Sequence, residues 1–335
     1  MADQPTLAQV AAEAGVSPAT ASRVLTGSVR VSTSTRRQVH DAMSRLGYVR
    51  HRAPRGTSAR RSDQLVAAVV CEHTQRMFAE PFYARLLSAA DEVFTGYGVP
   101  FVVMTATPAT STIAAPPLVT GSFDGVLLAG ARERHPLAVT LAASGIAVRS
   151  AGRPPDGIDL PFVDMDNRDG ARQAAEHLLL TNRRAITVIA GPPTLPGARD
   201  RLDGFLRTLN AAGITEVPVA YGDFTHASGA HAMQWLLQRS PHLDGVFAAS
   251  DPMAAGAMQA LRRAGRRIPD DVAVIGFDDA PLARHTSPTL TTVRQPVEEM
   301  AVLSARMLLM SITSEEDVQH GNPILPTELV VREST

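Results

Sequence analysis

The chain of 335 residues is 44% hydrophobic and 19% charged, and its net charge of −1 hides a division: residues 1–62 hold ten arginines against Asp3, Glu13 and Asp41, a net of +7, so the remainder carries −8. All 32 basic residues are arginine, which excludes Schiff-base chemistry, pyridoxal-phosphate attachment and a P-loop lysine. There is no basic leader ahead of an apolar stretch and no run of about 18 apolar residues, so a cytoplasmic protein is expected and the lone Cys71 reads as packing.

Thr6 is placed to cap a first helix, because Leu7, Val10, Ala11 and Ala14 recur behind it at helical spacing. Gly15 supplies a turn, Val16 plugs the corner, and Ser17 followed by Pro18 reads as the N-cap and first residue of a second helix. That helix exposes Ala19, Thr20, Ser22 and Arg23, and a third helix is expected over 35–46. The pattern is a helix-turn-helix, in which small side chains at the start of the second helix let the backbone approach base edges in the major groove and Arg forks onto guanine. Thr20, Ser22 and Arg23 are thus the expected DNA contacts, with Arg23 reading a base, Thr6 and Ser17 capping near phosphates, and Pro18 and Ala19 on the same approach surface. The basic charge of the segment fits a phosphate partner. Residues 49–62 form a hinge or linker, where Arg52 and Arg55 track phosphates or reach into the minor groove, unless the segment is a plain disordered linker.

Beyond the linker, apolar runs at 65–71, 100–105, 125–130, 146–152, 185–191, 217–221, 245–250 and 272–277 alternate with amphipathic stretches at 83–96, 170–181, 202–212, 228–239 and 253–263. This alternation predicts parallel sheets covered by helices on both faces, and about 270 residues favour two lobes over one. The segment 106–122, rich in Thr, Pro and Ala, is a poor helix and is expected to be irregular. No Gly-x-Ser-x-Gly elbow or His-Glu-x-x-His pair occurs, and the ten histidines lack ligand spacing. Gly96-Tyr97-Gly98 misses the third glycine of a dinucleotide fingerprint and precedes a strand. No enzyme activity, metal or cofactor is expected.

Residues 6–48 resemble the headpiece of the lactose-repressor (LacI/GalR) family of bacterial transcriptional regulators. The likeness continues in order through Gly125-Val126-Leu127-Leu128, Asp166-Asn167-Arg168-Asp169-Gly170, the block at 197–205, Ser250-Asp251-Pro252-Met253-Ala254, Ile275-Gly276-Phe277-Asp278-Asp279 and Thr291-Thr292-Val293-Arg294-Gln295-Pro296. The resemblance implies an all-α DNA-binding domain at 1–48, the linker at 49–62, and an effector-binding and dimerisation core at 63–335. The core would be of periplasmic-binding-protein type, with lobe one near 63–165 and 294–322 and lobe two near 166–293 and 323–335.

By the same resemblance a small sugar-like effector lies between the lobes. It would be held by Phe82 and Tyr83 on the first lobe and by Arg201, Phe224, Ser250, Asp278 and Gln295 on the second lobe and crossover. Carboxylates and Arg bind hydroxyls strongly there, and aromatic faces cover a sugar ring. Asp279 is expected only to cap the turn after its strand. Two features depart from the family pattern: many members carry Asn or Asp at the position of Ser250, and the hinge holds Pro54 and Gly56 with no leucine to wedge into the minor groove. The function expected is a sequence-specific regulator, a repressor, bound as a homodimer to a near-palindromic double-stranded operator. A dimer is preferred over a tetramer because no leucine-heptad tail follows the last strand. The alternative is a cytoplasmic sugar- or nucleoside-binding protein, or an enzyme on such a compound, with no role on DNA.

Overall fold

The computed structural model describes residues 6–25, 33–46, 64–313 and 321–335. Three helices come first: α1 (Leu7–Glu13), α2 (Pro18–Leu25) and α3 (Thr33–Leu46), the last beginning two residues earlier than expected. The Gln9 amide donates to Thr6 Oγ1 at 3.4 Å while the Thr6 amide donates to Gln9 Oε1 at 2.6 Å, a reciprocal cap that satisfies otherwise orphaned donors. Gly15 takes φ +66°, a conformation open to glycine, and Val10, Ala11, Ala21, Val24, Val39 and Ala42 form the small core beneath the turn.

The body follows as β1 (Val66–Val70), α4 (Thr74–Ala79), α5 (Pro81–Gly96), β2 (Phe101–Thr105), α6 (Ser111–Val119), β3 (Gly125–Ala129), α7 (Pro136–Ala143), β4 (Ala147–Ala151) and β5 (Phe162–Met165). Next come α8 (Asn167–Leu180), β6 (Ile186–Ala190), α9 (Pro196–Ala211), β7 (Val219–Tyr221), α10 (His226–Arg239), β8 (Gly245–Ala248), α11 (Asp251–Arg263), β9 (Ala273–Asp278) and β10 (Thr291–Arg294). The chain closes with α12 (Val297–Thr313), β11 (Ile324–Leu325) and β12 (Glu328–Val330). The strands form two six-stranded sheets, ordered β11-β5-β4-β3-β1-β2 and β12-β10-β9-β8-β6-β7. Every pairing is parallel except β10 with β12.

The central strands read as unbroken apolar runs because helices bury both faces: β1, β3 and β6 are buried at every position. The chain passes between the sheets after β5, after β10 and after β11. Ile324 pairs with Asp164 in the first sheet, so the last passage lies beyond residue 325 and not before 323 as expected. Helices α8 and α9 approach so closely that a Cβ on Gly204 would stand 2.3 Å from the Arg168 carbonyl oxygen, and Gly229 and Gly256 do the same for α10 and α11.

The expectation of an irregular segment at 106–122 is corrected, since α6 is helical despite Pro116 and Pro117. Burial of Ala114 and Leu118 against the first sheet outweighs the poor propensity, and Ser111 Oγ ties the first turn to the Thr107 carbonyl at 2.8 Å. Among the described residues no helix is long and apolar enough to cross a membrane.

Candidate effector cleft and DNA-binding headpiece

The carboxyl ends of the strands of both sheets face one another across a cleft of about 960 Å³, a volume that takes in the open solvent at its entrance. Open parallel sheets place ligands at these ends, because the loops that follow the strands converge there. All seven expected effector residues line the cleft: Phe82, Tyr83, Arg201, Phe224, Ser250, Asp278 and Gln295.

Arg201 is the hub. Its Nε donates to Asn167 Oδ1 at 2.9 Å, its Nη1 donates to the Ala249 carbonyl at 2.7 Å, and Nη1 lies 3.5 Å from Asp278 Oδ1. Its guanidinium stacks 3.9 Å from the centre of the Phe277 ring and 6.0 Å from that of Phe224. It is not paired with Asp200 or Asp203, both of which are taken by Arg168. Burial lowers the Arg201 pKa, opposed by the nearby carboxylate of Asp278. Burial also pushes the Asp278 carboxyl up to about 6, although Arg201 and the Gln295 side-chain amide, which donates to Asp278 Oδ1, pull the other way. The remaining Gln295 oxygen is buried without a partner among the described residues, an acceptor that suits a ligand hydroxyl.

Asp278 (φ +124°), Asp279 (φ +48°) and Phe224 (φ +70°) all adopt backbone conformations that side chains disfavour. Such strain concentrates where structure is committed to a ligand. Phe224 can turn inward because Gly191 leaves room, since a Cβ there would meet its ring at 2.4 Å. Phe82 and Tyr83 meet edge-to-face at 5.3 Å, with Tyr83 buried and its hydroxyl pKa raised by that burial. Ser250 has a second task, since its Oγ caps α11 by accepting from the Met253 amide at 3.4 Å.

Asp279 does not cap. Its buried carboxylate accepts from Arg332 Nη2 at 2.5 Å and Arg294 Nε at 2.8 Å, tying the final segment of the chain to β10. These bonds outweigh burial and hold its pKa below the ordinary carboxylate range.

Glu72, Arg132, Asp164 and Asn167 also line the cleft and were not among the sequence candidates. Arg132 Nη2 donates to the buried Glu72 Oε2 at 2.5 Å. Burial raises Asp164 to about 6, and Arg153 stands 4.0 Å away. A signal existed for Glu72 and Arg132, because both follow apolar strand-like runs, where the parallel-sheet rule looks for ligands. The lobes are also bridged outside the cleft lining, by Arg199 with Glu133 at 2.6 Å and Asp156 at 3.1 Å, and by Arg76 with Asp223 at 3.8 Å.

In the headpiece, Ser17 Oγ accepts from the Thr20 amide at 3.1 Å and lies 2.8 Å from Thr20 Oγ1, so the two expected contacts brace the start of α2 together. Thr6, Ser17, Pro18 and Ala19 are exposed and Thr20 is half-buried. Ser22 and Arg23 lie on α2 with side chains outside the description, and Arg52 and Arg55 lie outside the described residues altogether.

The description "Bacterial regulatory proteins, lacI family" matches residues 6–51, and "Periplasmic binding protein-like domain" matches residues 175–335. The chain is 43% identical to the HTH-type transcriptional regulator CelR of Thermobifida fusca, over 99% of this chain and 98% of that one. It is 30% identical to the HTH-type transcriptional repressor CytR of Escherichia coli, over 98% and 96%. A solved CelR–cellobiose complex superposes with a TM-score of 0.79 at 42% identity, covering 99% of this chain and 100% of that one. The lac repressor dimer bound to operator and the anti-inducer ONPF gives 0.73 at 27% identity, covering 99% of each. With its headpiece, its two-sheet body and its near-complete overlap with these relatives, the chain belongs to the LacI family of bacterial transcriptional regulators.

Proposed function

We propose that the protein is a cytoplasmic homodimeric repressor that holds a near-palindromic operator through paired headpieces and is controlled by a small neutral saccharide in the interlobe cleft. Thr20, Ser22 and Arg23 meet the major groove, Thr6, Ser17, Pro18 and Ala19 frame the approach, and Arg52 and Arg55 follow the backbone. Phe82, Tyr83, Arg201, Phe224, Ser250, Asp278 and Gln295 hold the effector.

The observation that carries the effector class is the charge balance of the cleft. Its lining holds four carboxylates, Glu72, Glu80, Asp164 and Asp278, against three guanidiniums, Arg132, Arg153 and Arg201, each of which has a carboxylate within 4.0 Å. No spare cation is left in that lining for a phosphate, whereas paired charges can exchange hydrogen bonds with hydroxyls at little electrostatic cost. The relative solved with cellobiose makes a β-linked disaccharide the first effector to try.

Dimerisation is supported by β2, an edge strand that presents Val102 and Val103 at 40% and 43% exposure and needs cover against indiscriminate pairing. The test is a gel shift on DNA flanking the gene, repeated with a panel of disaccharides and nucleosides. Loss of the complex with one saccharide identifies an inducer and gain a corepressor. Failure to bind any such DNA, or a response confined to charged or nucleoside ligands, overturns the reading.

A further inference from the structure

A second cavity, about 760 Å³ counted to its opening, adjoins the first and shares two of its walls, Glu72 and Arg132. It too is built from both lobes, with His73, Thr107 and Pro108 on one side and Pro192, Pro193 and Asp223 on the other. The partition between the cavities is the Arg132–Glu72 pair itself, at 2.5 Å. Arg132 has a second acceptor within reach, since its Nη1 stands 3.4 Å from Thr194 Oγ1 on the opposite lobe. Parting from Glu72 therefore does not strand it.

The outer cavity repeats the chemistry of the inner one. Two carboxylates, Glu72 and Asp223, face two guanidiniums, Arg76 and Arg132, so it too lacks spare charge. The proline rings offer flat C–H surfaces of the kind that lie against a sugar, and no long aliphatic side chain is present to hold a purely apolar guest.

We propose that this cavity is a distal subsite that takes the further units of a linear neutral oligosaccharide whose first two units fill the inner cleft, with Arg132 and Glu72 parting to let the chain through. The proposal rests on the reading of the inner cleft as a saccharide site. It makes effector length, and not only the identity of the sugar, a determinant of response.

The test is calorimetric titration of the full-length protein with β-1,4-linked glucose oligomers of two, three and four units and with the matching α-1,4-linked series. In the linkage that binds, affinity is expected to rise about tenfold between two units and three or four. Thr107→Trp, which fills the outer cavity, and His73→Ala, which removes an exposed wall group, are expected to hold the two-unit ligand within about twofold and to lose the gain; the retained two-unit affinity also reports folding. Equal affinity at every length in the wild-type protein overturns the subsite alone, as does loss of affinity at all lengths alike in both variants. If neither series binds at any length, the saccharide reading of the inner cleft falls with it.

Discussion

Lowering the pH from 7 to 5 should weaken effector binding through Asp278. Its carboxylate lies 3.5 Å from Arg201 and accepts from the Gln295 amide, while a backbone hydrogen bond from Asp251 and the charge of Arg85 also favour its ionised form. Burial raises its pKa from an ordinary 3.8 to about 6. A group titrating there is about nine-tenths ionised at pH 7 and about one-tenth at pH 5, so an effector whose hydroxyls donate to the ionised form loses about tenfold in affinity, or ~1.4 kcal/mol. Asp164, also raised to about 6 by burial, extends the loss toward about a hundredfold if it too must be ionised.

The same shift acts oppositely on the effector-free fold. Because the folded state takes up the Asp278 proton near pH 6 and the unfolded chain waits until about 3.8, this group adds stability as the pH falls between those values. Titration calorimetry at pH 7 and 5, in two buffers of different ionisation heat, counts the protons released or taken up on binding. Asp278→Asn should bind more weakly at pH 7 and lose the part of the pH slope that belongs to residue 278. A flat wild-type profile, or an unchanged slope in Asp278→Asn, would refute the assignment of Asp278 to the effector.

Arg201→Ala should cost about 3–5 kcal/mol of stability in denaturant melts, because it strands a buried carboxylate. It should also abolish the response to effector while leaving residual DNA binding. Arg23→Ala should cost about 1–3 kcal/mol of operator affinity at one half-site position in a gel shift, and unchanged base preference at every position would exclude Arg23 as a reader. Gly204→Ala, whose Cβ would stand 2.3 Å from a carbonyl oxygen, should destabilise by about 1–3 kcal/mol in calorimetry as α8 and α9 are forced apart.

Much of the fold was legible because its signals are local. Strands buried on both faces read as unbroken apolar runs, and Thr6 and Ser17 announced their helices by capping chemistry. The short strands β5 and β11 were not legible, since four and two residues, carrying Asp164 and a proline-flanked Ile324-Leu325 pair, show no run, and only pairing across the passage between lobes makes them strands. Helix α6 was missed because its stability lies in the burial of Ala114 and Leu118, which propensity does not see.

In the cleft, Arg201 and Asp278 stood out by motif. Glu72 and Arg132 offered only their position after apolar runs, because what pairs them is a 2.5 Å contact across 60 positions of chain. Asp279 shows the reverse failure: next to Asp278 it looked like a turn residue, yet its partner Arg332 lies 53 positions away.

The ion pairs that join the lobes tie any parting of the lobes to their own strength. Arg199 holds Glu133 and Asp156, and Arg76 holds Asp223, so lobes that open to admit or release an effector must first part these partly exposed pairs. Each is worth about 0.2–1 kcal/mol and is weakened by salt. Ionic strength should therefore set how quickly the regulator exchanges its effector, and cells of different internal salt would hear the same signal at different speeds.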